Sequence, residues 1–485
     1  MTTTAVQLSE RVSRRDGGSF RDPSGYVFHR DGAVYRALTE RAYEDVVALT
    51  ASGLLQRLQQ ERLIVPTRYV DSPDLAAALA CENPGYAHFL HHDRISPITY
   101  PYECTASMVA DAALHTLRLQ QRLVTEGWSL KDATAYNIQF AGGRPVFIDT
   151  TSIEQPARLD VWYALGQFTQ LFLFPLLLFR YHGWDFRSYY LGRLGGREIA
   201  DVSRSLSFLE RWSPRALLDV TLPLMFHGSD TVAPKAEVAM RRRSANPQAQ
   251  LMNLRRLERK IRRLIAGYRP RGTWAEYTGT CNYSNDAEDA KKRLVGEMLD
   301  VARPGFVLDV GCNTGDYSFL AAAKGASVIA VDADHDAVDI LYRRLREHPA
   351  SIAPLVMNLS EPSPAIGFMN GERQSFTDRV APDCVVALAL LHHLSVSGNL
   401  SLPAVSALFH SLTRRFLILE HVPPTDSMFQ KLVRLRTDRH EDLTLDACRA
   451  AFSVAFTVVR EAAVPGSQRT LLLLEKRPSD GRTDR

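Results

Sequence analysis

The sequence contains no Cys-x-x-Cys pair and no cluster of Cys and His at metal-ligand spacing. Its six cysteines, Cys81, Cys104, Cys281, Cys312, Cys384 and Cys448, are scattered. That pattern predicts neither a disulfide framework nor a metal site, and it fits a reducing compartment. No apolar run reaches the roughly 20 residues a bilayer demands. The longest candidate, Leu165 to Phe179, is interrupted by Gln167, Gln170 and Pro175 and reads as a buried helix. The stretch Met1 to Phe20 is polar and has no signal-peptide core. An excess of one charge is missing too, since a net charge of +4 is too weak to imply a polyanionic partner. There is no internal repeat, and no lysine occurs ahead of Lys131. These absences predict a cytoplasmic protein without a membrane partner.

What is present is ordinary globular composition, 45% hydrophobic and 23% charged over 485 residues. That length exceeds one core, and about three domains is the expectation. After the polar leader (1–20), Gly25 to Arg36 predicts a β-hairpin around Asp31-Gly32. Helical patterns follow at Glu40–Leu63, Ala106–Thr125, Val161–Phe179 and Ile199–Trp212, with mixed strand and turn signals between Val65 and Tyr100. This α+β region is expected to run from 21 to 234. A linker (235–286) contains a basic helix near Gln248–Gly267, with Leu251, Leu254, Leu257, Ile261 and Leu264 on one face. Arg255, Arg256, Arg259, Lys260, Arg262 and Arg263 cover the rest, a solvated face or a nucleic-acid surface. The aromatic segment Trp274 to Tyr283 is a candidate lid or packing segment. From 287 to 476, seven strands alternate with helices, which predicts a doubly wound sheet whose last two strands form an edge hairpin. A polar tail, 477–485, is expected to be disordered.

The most informative run is Val307-Leu308-Asp309-Val310-Gly311-Cys312-Asn313-Thr314-Gly315-Asp316. A strand ends near an acidic residue and a glycine turn, and the next strand, Val328 to Val331, ends in Asp332. Such a turn lets a ligand approach the backbone, and a strand-end carboxylate can take both hydroxyls of a ribose. Asp309 would repel a pyrophosphate but suits a ligand carrying an amine and a sulfonium. The run resembles the nucleotide motif of the class I S-adenosylmethionine-dependent methyltransferases, Asp-x-Gly-x-Gly-x-Gly, with Asn313 at the middle glycine. The resemblance implies a Rossmann-like seven-stranded sheet and S-adenosylmethionine as cofactor. Asp309, Gly311, Asn313 and Gly315 would line the methionine portion and the turn, Asp332 would hold the ribose, and Asn358 would lie near the adenine. His392 or His393, after the fourth strand, is the candidate base, because His titrates nearest neutral pH. Glu420 or His421, after the fifth strand, is a further polar contact. Glu372, Arg373 and Arg379 form either an acidic-substrate clamp or a surface ion-pair cluster.

In the front half, Asp132, Asn137 and Asp149 recur in an order that resembles the catalytic and metal-binding loops of the protein-kinase-like fold. The resemblance implies a nucleotide and magnesium site at those three residues. Leu130 stands where that family has His, and Thr150-Thr151 follow Asp149 where it has Phe-Gly. A glycine-rich phosphate loop is missing, and Arg36 is the only candidate stand-in for the phosphate-pairing lysine. The front half is therefore a kinase-like domain with phosphoryl transfer lost or rebuilt, or an unrelated α+β domain. The expected whole is an α/β methyltransferase acting on oxygen or nitrogen of a small-molecule acceptor recognised partly by the front half. An RNA methyltransferase and a bifunctional kinase-methyltransferase are the alternatives, nucleic acid not being favoured; nothing in the sequence addresses oligomeric state.

Overall fold

The computed structural model describes residues 13–226, 246–270, 285–438 and 440–478. The Trp274–Tyr283 segment expected as a lid, and residues 1–12 and 479–485 of the expected leader and tail, lie outside the described residues. The front half opens on a five-stranded antiparallel sheet of β1 (Arg14–Arg15), β2 (Gly25–Arg30), β3 (Ala33–Leu38), β4 (Thr67–Tyr69) and β5 (His88–His92). Their order is β1-β2-β3-β5-β4. The expected hairpin turns at Asp31 and Gly32, both with positive φ (50° and 78°), which matches the right-handed twist of the strands it joins. Within the stretch 1–20, Arg14 and Arg15 pair with His29 and Phe28.

Helix Ala106–Thr125, capped by the Thr105 hydroxyl, lies in a separate apolar cluster with Leu54, Leu55 and Leu58. Two short antiparallel pairs follow, β6 (Ser129–Leu130) with β9 (Ile153–Glu154) and, between them in the chain, the hairpin of β7 (Ile138–Ala141) with β8 (Arg144–Phe147). The apolar run near Leu165 is a buried helix, as expected, and a π-helical turn (Thr169–Leu173) interrupts it just ahead of Pro175. No helix among the described residues is long and apolar enough to cross a membrane. The basic helix, Pro247–Ala266, is not a bare linker. Leu251, Leu254, Leu257, Ile261 and Leu264 are buried in the same apolar cluster as helix Ala106–Thr125.

The C-terminal half holds β10 (Phe306–Val310), β11 (Ser327–Asp332), β12 (Ile352–Val356), β13 (Cys384–Ala387), β14 (Phe416–His421), β15 (Phe456–Ala463) and β16 (Thr470–Lys476). They form one sheet ordered β12-β11-β10-β13-β14-β16-β15, with β16 alone antiparallel to its neighbours. Both faces are covered, so the strands read as continuous apolar runs. Leu308, Ile329, Val385 and Leu417 enter one apolar cluster, while Val307, Val328, Cys384 and Phe416 enter the other. The strand order reverses between β10 and β13, which opens a crevice at their carboxyl ends.

The two halves meet along helix His335–Glu347, directly after Asp332. Asp339, fully buried, accepts from the Ser107 N–H (3.0 Å) and hydroxyl (2.9 Å) at the start of helix Ala106–Thr125. The Ala106 N–H donates to His335 Nε2 at 3.0 Å, and the Tyr342 hydroxyl donates to Asp111 at 2.8 Å. Glu372 and Arg379, read as a substrate clamp or a surface cluster, belong to this seam. Glu372 pairs with Arg21 at 2.8 Å and Arg379 with Glu103.

Candidate active site

The turn after β10 is built by backbone strain that its residues tolerate. Gly311, Asn313 and Gly315 all have positive φ (73°, 49° and 90°). Asn occupies the left-handed region more readily than most side chains, so the missing middle glycine leaves the turn intact. At Gly315 a Cβ would stand 2.4 Å from Leu341 Cδ1, so glycine is also required there by the close approach of helix His335–Glu347. The turn is locked by Gly311 N–H donating to Val331 O (2.8 Å) and Gly315 N–H to Cys312 O (2.8 Å).

Two acidic side chains face the crevice end of adjacent strands. Asp332 accepts from the N–H groups of Asn313 and Asp334, each at 2.9 Å. Burial nevertheless raises its pKa above the usual carboxylate range, the two N–H donors opposing. Asp309 is buried and accepts from the Ser318 hydroxyl at 2.5 Å. Burial, opposed by that bond and reinforced by the charge of Asp332, pushes it up to about 7. A buried carboxylate with a raised pKa is poised to gain from a cationic ligand. Asn358 is exposed, beside Met357, whose N–H donates to Asp332 O. Its own amide oxygen accepts from the Ser360 N–H at 3.0 Å.

S-adenosylmethionine, implied by the family motif, fits this arrangement. Gly311, at φ 73°, brings bare backbone to the crevice, with Leu390 the nearest side chain to its Cα substituent position at 3.5 Å. The donor set offers carboxylates where the ligand carries hydroxyls and an amine.

The polar residues after β13 and β14 are distributed less evenly. His392 is buried and stacks on Phe429, with ring centroids 5.7 Å apart. Its Nδ1 has no hydrogen-bond partner among the described residues, and it shares an apolar pocket with Leu402, Val422 and Leu443. Burial and the neighbouring His393 hold its pKa far below 6.5. His393 is only half-buried; burial and Arg469 lower it as well. His421 Nε2 donates to Leu443 O at 3.0 Å, which anchors the ring. Glu420 is fully buried, 2.5 Å from Lys291 Nζ and 3.5 Å from Arg469 Nη1. Burial pushes Glu420 up, but the two cations outweigh it and hold its pKa below the ordinary value. Arg469 reaches on to Asp426 at 2.8 Å. Lys291 and Arg469 were not singled out from sequence. They lie on the helix ahead of β10 and on the β15–β16 connection, with no motif to mark them.

In the front half, the three residues matched to the kinase-like loops come together. Asn137 Nδ2 donates to Asp149 at 3.3 Å, and the charge of Asp149 adds to burial in raising Asp132. Asp149 is already claimed, however. Arg36 lies 2.8 Å from it, and the hydroxyls of Thr151 (2.7 Å) and Ser152 donate to it. Burial raises Asp149, yet these partners, Arg36 foremost, hold it below the usual range. Arg36 also pairs with Asp22 at 2.8 Å. With these donors on Asp149, the residues as they stand do not fit a magnesium ion. Among the described residues no group of three or more acidic, His or Cys side chains is disposed to hold a metal.

A family model described as a methyltransferase domain matches residues 307–402, the crevice and its flanking strands. The nodulation protein NoeA of Rhizobium meliloti (strain 1021) is 34% identical over 465 residues, 95% of this chain and 96% of that protein. Among solved structures, the N-methyltransferase NodS from Bradyrhizobium japonicum WM9 is 13% identical with a TM-score of 0.31. The match covers 40% of this chain and 99% of that one. The magnesium protoporphyrin IX methyltransferase of Synechocystis PCC 6803, with bound SAH, is 20% identical at a TM-score of 0.31. It covers 42% of this chain and 96% of the other.

Proposed function

The chain belongs to the family of the nodulation protein NoeA and is an S-adenosylmethionine-dependent methyltransferase; on that premise we propose that it methylates an oxygen or nitrogen of a small-molecule acceptor bound over the carboxyl ends of β13 and β14. The observation that carries this reading is the pair of carboxylates, Asp309 buried and Asp332 partly buried, flanking the Gly311 turn at the switch point of the sheet. When bound, the cofactor supplies a methyl group already activated on a sulfonium. The protein's task is then alignment of the acceptor and removal of one proton. Asp332 holds the ribose hydroxyls, Asp309 faces the amine end, and Asn358 borders the base. His393 is the better placed of the two adjacent histidines to take the acceptor's proton, because His392 is turned into the apolar pocket. The front half contributes to acceptor recognition, and the reaction runs in the cytoplasm, consistent with the five described cysteines all being free thiols.

Calorimetric titration tests the cofactor site. Asp332→Ala is expected to weaken S-adenosylmethionine binding by about 1–3 kcal/mol, the loss typical of a hydrogen bond to a charged group. Unchanged affinity in a folded variant would move the ribose elsewhere. The same titration with ATP and magnesium addresses the front half. Asp132, Asn137 and Asp149 support a kinase-like ancestry, while the Arg36–Asp149 pair supports loss of phosphoryl transfer. No saturable heat is expected, and saturable heat abolished by Asp149→Ala would restore the bifunctional reading.

The pH profile tests the base. A base works as neutral imidazole, and His393 is held below 6.5 by burial and by Arg469. The neutral form therefore persists on mild acidification. Turnover should stay level from neutral pH down through 6.5 and fall only as pH drops through the lowered value. His393→Ala should lower turnover and remove that acid limb while leaving cofactor affinity nearly intact. An unaltered profile in His393→Ala would exclude it as the base.

A further inference from the structure

We propose that the face formed by residues 208–225 and the outer side of helix Pro247–Ala266 is a docking surface for an anionic lipid bilayer. The sequence reading expected no membrane partner, and only the tertiary structure exposes this patch. Leu209 is 81% exposed and Phe208 72%, and Trp212, Leu218, Met225 and Met252 are exposed as well. Large apolar side chains grouped in this way on a surface mark an interaction site more often than scattered ones do.

The pieces are tied into one surface. Phe208 and Trp212 lie with ring centroids 6.3 Å apart. The Thr221 hydroxyl donates to Arg211 O at 2.6 Å, joining their helix to the π-helical turn Leu217–Thr221. Asp219 of that turn pairs with Arg256 at 2.7 Å and with Lys260, which fixes the turn against the basic helix. Met252 sits one helical turn before Arg256 on that helix.

Charge decides the occupant. Nearby carboxylates are already engaged: Asp201 with Arg204, Glu210 with the Ser207 N–H, Glu258 with Arg262. Arg255, Arg259 and Arg263 are exposed and have no carboxylate partner among the described residues. Aromatic and aliphatic side chains beside a row of guanidinium groups match the boundary between acyl chains and anionic headgroups. A single-stranded RNA would use the rings for stacking but would have no use for Leu209, Leu218, Met225 and Met252. The bilayer is therefore favoured, and the contact is peripheral.

Co-sedimentation of the full chain tests this, with vesicles of phosphatidylcholine alone and vesicles in which phosphatidylglycerol replaces part of it. Binding is expected only to the second kind, and it should weaken as salt is raised. Leu209→Glu/Trp212→Glu, and separately Arg255→Glu/Arg259→Glu/Arg263→Glu, should each reduce it by about tenfold or more, given the worth of a basic residue near an anionic surface. All these side chains are exposed, and retained S-adenosylmethionine binding will show that both variants are folded. Absence of sedimentation, or sedimentation indifferent to the Leu209/Trp212 variant, overturns the proposal. Binding of an RNA oligomer that both variants lose would assign the face to nucleic acid instead.

Discussion

Arg379→Ala is expected to lower the chain's resistance to urea by about 3–5 kcal/mol, the usual cost of removing one partner of a buried ion pair. Arg379 ends the short helix Phe376–Arg379 of the methyltransferase half, and its partner Glu103 belongs to the front half. The side chains are 6% and 0% exposed, so water cannot replace the lost guanidinium. Among the described residues Glu103 would keep only the Tyr100 N–H, at 3.1 Å. The guanidinium also lies 4.7 Å from the centre of the Tyr100 ring, a contact that would vanish with it. Arg379→Lys restores the charge without the planar fork and should recover part of the loss. A change below about 1 kcal/mol would mean that the pair is solvated and that the seam is held elsewhere.

The second large effect is expected at Glu420. Glu420→Gln leaves Lys291 and Arg469, 9% and 6% exposed, facing each other without their shared carboxylate. A loss of about 3–5 kcal/mol is again expected. Because the native Glu420 pKa is lowered, its contribution is full above the ordinary value of 4.5 and fades as pH falls below it. The wild type should therefore lose stability on acidification through that range more steeply than the variant. The variant also separates anchoring from catalysis. An anchoring carboxylate predicts lower stability with turnover largely kept in the folded fraction. A Glu420 that touches the acceptor predicts the reverse, lost turnover in a protein of nearly normal stability.

Much of the methyltransferase sheet is legible in the sequence because its signals are local. The strand at Phe306–Val310 and the helix at Ala106–Thr125 fall where the apolar pattern places them. Asp31-Gly32 specifies its own turn. Local breaks were harder to see. The helical pattern from Glu40 to Leu63 is two helices, Glu40–Ala51 and Leu54–Gln60, parted at Gly53, where φ is 70°. Apolar periodicity continues across that break, since Leu49 of the first helix and Leu54, Leu55 and Leu58 of the second enter one apolar cluster. Pairings between distant segments left no trace at all. Lys291 meets Glu420 across 129 positions, and nothing in either neighbourhood marks the other. For the same reason Glu372 and Arg379 read as members of one group, whereas each is matched to its own partner in the front half.

Helix His335–Glu347 has a consequence for modularity. The same three turns that follow Asp332 also present Asp339 and Tyr342 to the front half. Severing the chain between the halves would hydrate a tyrosine that is now wholly covered and strip Asp339 of the Ser107 donors. The catalytic half is thus no interchangeable cartridge. A foreign recognition domain grafted in place of residues 13–226 would have to reproduce the start of helix Ala106–Thr125 before it could confer a new specificity.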